Sequence, residues 1–114
     1  MTTPGASNVE ALDTLAAVAR LLGHAADTAW AQADAQPLSV FAGLALGAQL
    51  ATSQVLHLIP ADFDLDGPEP VETDFRFLLL AAEELTRAHP IETFPAGTSQ
   101  LLVAISDLIG ETAP

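Results

Sequence analysis

The chain has 114 residues, no cysteine, and a formal charge of −12 from fifteen acids set against three arginines. The lack of thiols excludes disulfides, thiolate metal sites and cysteine nucleophiles. A surface of this sign repels phosphate backbones and anionic lipid headgroups, so neither nucleic acid nor a membrane is an expected partner, whereas a basic protein or a cation is attracted. Half the residues are hydrophobic, mostly alanine and leucine, which predicts one all-α domain around a single core.

Residues 1–7, MTTPGAS, read as a short flexible tail. They lack the positive-then-apolar order of a secretory leader, and a cytoplasmic protein is expected. Ser7 and Glu10 have capping-box spacing, which predicts a helix over about residues 8–34. Val9, Leu12, Leu15, Ala16, Ala19, Leu22, Ala26, Ala29 and Trp30 recur at three and four residues and should face inward. Glu10, Asp13, Arg20, His24 and Asp27 are left toward water.

A second helix is predicted over residues 37–59, with Pro37 at its first position, where a missing N–H costs nothing. Its first half is apolar on every side, so it is expected at the centre of a four-helix, mainly antiparallel bundle. Gln49, Thr52, Ser53, Gln54 and His57 crowd its second half and no Lys or Arg flanks it, which argues against a membrane span. Gly43, Gly47 and Ala51 repeat every fourth residue, a flat ridge that admits close approach of another helix, from this chain or from a second copy.

After Pro60 the character changes. Asp62, Asp64, Asp66, Glu69, Glu72 and Asp74 fall within thirteen residues, and Gly67, Pro68 and Pro70 make residues 61–70 a stiff acidic loop. A third helix is predicted over residues 71–88, with Phe75, Leu78, Leu79, Ala82 and Leu85 inward. Glu72 with Arg76 and Glu83 with Arg87 form i,i+4 pairs. A fourth helix over residues 98–110 starts at a Gly97 or Thr98 cap, buries Leu101, Leu102, Ile105, Leu108 and Ile109, and ends at Gly110.

Two stretches carry candidate chemistry. In Asp62-x-Asp64-x-Asp66-Gly67, alternate carboxylates precede a glycine turn, an arrangement that can converge on a hard cation. It resembles the opening of the EF-hand calcium loop, which implies calcium held by Asp62, Asp64, Asp66 and Glu72. The resemblance covers six residues; the twelfth position is Thr73 instead of glutamate, and Phe63 and Leu65 stand where such loops are usually polar. The plain alternative is that Glu69, Glu72 and Asp74 favour the positive end of the third helix without a metal. On the second helix, Gln49, Ser53 and His57 form one polar stripe that lines either a ligand pocket or simply the water-facing side.

Enzymatic constellations are missing. A serine on a regular helix, as Ser53 would be beside His57 and Asp62, lacks the strained elbow and oxyanion donors of acyl transfer. No Glu-x-x-His pair is present for a di-iron site. His57 and His89 close successive helices, which an antiparallel arrangement places at opposite ends. The expected function is therefore protein–protein interaction without catalysis, of inhibitor, immunity or adaptor type, with a basic partner or as a homodimer. Trp30, Phe41, Gly43 and Gly47 are the candidate interface residues. The alternatives are a ligand-binding or small enzymatic bundle with its pocket near Gln49, Ser53 and His57, and a calcium-binding module.

Overall fold

The computed structural model describes residues 4–112, with side chains from residue 9 onward. Helix α1 spans Pro4–Ala35, α2 Phe41–Leu58, α3 Phe75–Arg87 and α4 Thr98–Thr112, with a short 3-10 turn at Ile91–Thr93 and no strand among the described residues. α1 packs against α2 and α3, and α4 closes the group by packing against the same two helices. Leu15, Val18 and Leu22 of α1, Val55 of α2, Leu78 and Leu79 of α3, and Leu101 and Ile105 of α4 are fully buried in one core. Each such leucine contributes about 1.5–3 kcal/mol relative to leaving it in water.

The most extensive packing is between α1 and α2. Ala25 and Ala29 of α1 and Ala45 and Ala48 of α2 are all fully buried, and a Cβ on Gly23 would only just touch Thr52. Small side chains let these two backbones approach closely, at the cost of less apolar area per residue. Consequently α2 is not enclosed. It lies between α1 and α4, with Leu46 and Leu50 exposed by 51% and 60% on its outer side. The run of apolar residues that suggested a central helix is divided between a buried side, Leu44, Ala45, Ala48, Ala51 and Val55, and an apolar outer side.

Helix boundaries differ from the expected ones for local reasons. α1 is already helical at Pro4, so residues 4–7 belong to it; the Ser7 side chain of the expected capping box lies outside the described side chains. α2 begins at Phe41, not at Pro37. The Ser39 hydroxyl donates to Gln36 O (2.7 Å) and accepts from Phe41 N (3.3 Å), holding residues 36–40 in a turn. α3 begins at Phe75 because Asp74 caps it, its carboxylate accepting from Phe77 N (3.0 Å). Glu72 therefore lies before the helix, and its carboxylate accepts from Thr73 N and Asp74 N instead of pairing with Arg76. The Glu83–Arg87 ion pair forms, at 3.5 Å.

Within α3 the buried face is Phe75, Leu78, Leu79, Ala82 and Thr86, whereas Leu85 is at the solvent edge. Thr86 tolerates burial because its hydroxyl donates to Glu83 O (2.7 Å). In α4 the helix runs through Gly110 to Thr112, since a single glycine weakens a helix without ending it. Gly97 precedes α4 with φ of +103°, and its carbonyl accepts from Leu101 N (3.3 Å). A side chain there would be strained and would lie 2.9 Å from the Leu58 side chain.

The segment between α2 and α3 is a strap laid along α1. Arg20 donates to Leu65 O at 2.7 Å, and His24 Nε2 donates to Glu72 O at 2.8 Å. Thr28 then shares a cavity with Thr73, Asp74 and Phe75. Residues 65, 72 and 73 thus meet successive turns of α1 at positions 20, 24 and 28. Gly67 lies so close to the Arg20 guanidinium that a Cβ there would force the arginine side chain to shift.

Candidate functional site

The glycine ridge of α2 divides in two. A Cβ at Gly47 would stand 2.5 Å from Leu108 Cδ2, so this position is covered by α4 within the same chain. Gly43 is exposed, with nothing within 4 Å of where its Cβ would be. Beside this ridge a groove of about 540 Å³ runs between α2 and α4. Its floor is Gly47, Ala51, Ala104 and Leu108; Leu50, Gln54 and His57 border it on α2, and Asp107 and Glu111 on α4. Beyond Glu111 a further depression lies against Val40, Gly43 and Leu44, so the apolar surface continues to the start of α2. No Lys or Arg lines either depression.

This face follows from sequence in a simple way. α2 carries no charged side chain other than the titratable His57, so wherever it meets water it presents leucine, glycine and amide groups. α4 contributes carboxylates at positions four apart, which share one helix edge. The result is one neutral, largely apolar wall facing one anionic wall. Exposed leucines on a monomer are common singly, but a contiguous apolar groove rimmed by polar groups is the usual form of a docking surface.

The polar stripe is on the surface. Gln49, Ser53 and His57 are all exposed, and His57 Nδ1 donates to Ser53 O at 2.8 Å. Gln49 and Ser53 border a depression of about 410 Å³ between α1 and α2, while Ser53 and His57 belong to the α2–α4 groove. The three side chains therefore do not converge on one enclosed pocket. A cavity of about 470 Å³ that periodicity did not indicate lies where α1 and α4 end and α2 and α3 begin. Phe41, Leu44 and Phe75 line it, with Asp74, Arg76 and Glu111 also on its walls. Helix-end geometry creates it, and no spacing rule within a single helix reveals it.

The acidic strap does not assemble its carboxylates. Asp62, Asp64, Asp66 and Glu72 are all exposed, and among the described residues no group of three Asp, Glu or His side chains is placed to hold a metal ion. Asp64 Oδ1 accepts from Asp66 N at 2.9 Å, and Glu72 is taken up by the backbone at the start of α3. The loop is extended along Arg20 and His24 instead of curling around a centre, which a calcium loop must do. Of the other interface candidates, Trp30 is 38% exposed beside the α1–α2 depression and Phe41 is half-buried in the end cavity.

The histidines correct one inference about topology. His89 stacks edge-on with Phe94 at 6.1 Å, and Phe94 shares a depression with Leu58, the neighbour of His57. Both histidines therefore lie at the same end, because the strap returns the chain along α1 before α3 starts. No helix among the described residues is long and apolar enough to cross a membrane. Comparison with protein-family models, with characterised proteins and with solved structures finds no match.

Proposed function

We propose that this chain is a protein-interaction module that docks a basic protein on the α2–α4 face and performs no chemistry itself. In this reading the bundle is antiparallel at every packed pair of neighbours, with the strap making the one lengthwise return. The observation that carries the proposal is the uncharged outer face of α2, with Leu46 and Leu50 exposed, beside the Asp107 and Glu111 edge of α4. Apolar floor supplies affinity, and the one-signed rim supplies attraction and register. The net charge of −12 adds long-range steering of a cationic partner. A second copy of this chain is the weaker candidate, because it sets only three arginines against fifteen acids and so adds more repulsion than attraction at Asp107 and Glu111.

Affinity capture from the native lysate tests this reading, comparing the natural chain with a Leu46→Glu/Leu50→Glu variant. Proteins of high isoelectric point should be retained by the natural chain at low salt, released at about 0.5 M salt, and missed by the variant. Identical capture by both chains overturns the assignment of the face. Both side chains point into solvent, so the variant should keep its helical circular dichroism and melt within about 0.5–1 kcal/mol of the natural chain.

A further inference from the structure

We infer that the element received by the α2–α4 groove is an amphipathic helix carrying two cations four residues apart on one flank; this rests on the reading of that face as a docking surface. The groove fits this shape. From Gly43 to His57, α2 borders it for about 21 Å at 1.5 Å per residue, the length of a four-turn helix. Its floor is Ala104 and Leu108, with Gly47 covered by the Leu108 side chain and Ala51 buried, and this uncharged surface can receive the bulky apolar residues of a third helix at i, i+3/i+4 and i+7. An extended strand would need unpaired backbone N–H and C=O groups to bond, and helices α2 and α4 offer none along their length.

Charge then orients the occupant. Asp107 and Glu111 lie one turn apart along α4, and neither makes an ion pair among the described residues. On the opposite wall Leu50 and Gln54 are neutral. A docked helix therefore meets anions on one side only. Lys or Arg at i and i+4 on that side satisfies both carboxylates, and turning the helix end for end moves those cations to the neutral wall. Leu50 packs against the apolar stripe, and Gly43, with nothing within 4 Å, allows the helix backbone to come closest at that end.

The test uses the full chain and a fluorescein-labelled synthetic 16-residue helix with leucines at i, i+4, i+7 and i+11 and lysines in an i,i+4 pair on one flank. Two control peptides accompany it, one of the same composition with the leucine register scrambled and one with glutamate for lysine. Anisotropy should show binding of the first peptide that weakens at least tenfold for either control. Backbone amide shifts should move along α2 and α4. Leu50→Gln and the pair Asp107→Asn/Glu111→Gln should each weaken binding at least fivefold, while Asp62→Asn/Asp66→Asn in the strap changes it less than twofold. Equal binding of the scrambled peptide, or shifts confined to residues 62–74, shows generic attraction to acids and overturns the inference, as does no binding. A concentration-dependent dimer by light scattering that Leu50→Gln dissociates also overturns it, since the face is then covered by a second copy. If a basic lysate protein still docks on this face while the designed helix does not, the helical ligand fails and the docking surface stands.

Discussion

The glycines show how one residue type takes three different roles within a small bundle. Gly43 has open space around it inside an exposed turn of α2, so Gly43→Ala should stabilise the chain by about 0.5–1 kcal/mol through helix propensity alone, measured as a higher urea midpoint. Gly97 occupies positive φ against Leu58, so Gly97→Ala should destabilise by about 1–3 kcal/mol. Gly47 is the seat of the Leu108 side chain, and anything larger there requires the Leu108 methyl group to shift. Asp74 holds the first turn of α3; Asp74→Ala should cost about 0.5–2 kcal/mol and Asp74→Asn much less, because the amide oxygen still accepts from Phe77 N. Thermal melts of the two variants compare them directly.

At the scale of elements, periodicity read well wherever one face of a helix is plainly apolar. The Leu101, Ile105 and Leu108 stripe of α4 and the Phe75, Leu78, Leu79 and Ala82 stripe of α3 are buried as their spacing predicts. It failed where apolar residues surround the helix, because no pattern says which side of α2 meets water, and tertiary packing against α1 and α4 decides that. Boundaries moved where polar side chains found local backbone partners, as Ser39 and Glu72 do. The groove combines residues more than forty positions apart, Gly47 with Leu108 and Leu50 with Asp107, so no local rule displays it. The strap is legible only as acidic and stiff; its path along α1 depends on Arg20 and His24. Removing the Arg20 guanidinium in Arg20→Met should speed amide exchange across residues 62–72 and lower global stability by no more than about 1–2 kcal/mol.

Over the whole molecule, charge and packing pull in opposite directions. Fifteen acids, offset by only three arginines, repel one another across a bundle about 56 by 25 by 20 Å, and the ion pair between Glu83 and Arg87 is solvent-exposed on the arginine side. Screening should therefore raise the melting temperature as sodium chloride rises from about 0.01 to 0.15 M, because the Debye length falls from about 30 Å to about 8 Å, less than the width of the bundle. The same salt should slow association with a cationic partner. Stability and encounter rate thus respond to salt with opposite signs, and calorimetry alongside stopped-flow mixing would register both.

The strap has one more implication, for how its composition can vary. The two side chains that hold it to α1, Arg20 and His24, both donate to backbone carbonyls, at Leu65 and Glu72. A carbonyl is present whatever side chain the residue carries, so the anchoring is blind to the identity of the acids around it. Asp62, Asp66 and Glu69 can be replaced by their amides, making the formal charge of −12 less negative by three, without removing a side-chain hydrogen bond seen at these positions. In an evolving lineage or in a designer's hands, this segment is a dial for the net charge of the molecule that can be turned without disturbing the scaffold beneath it.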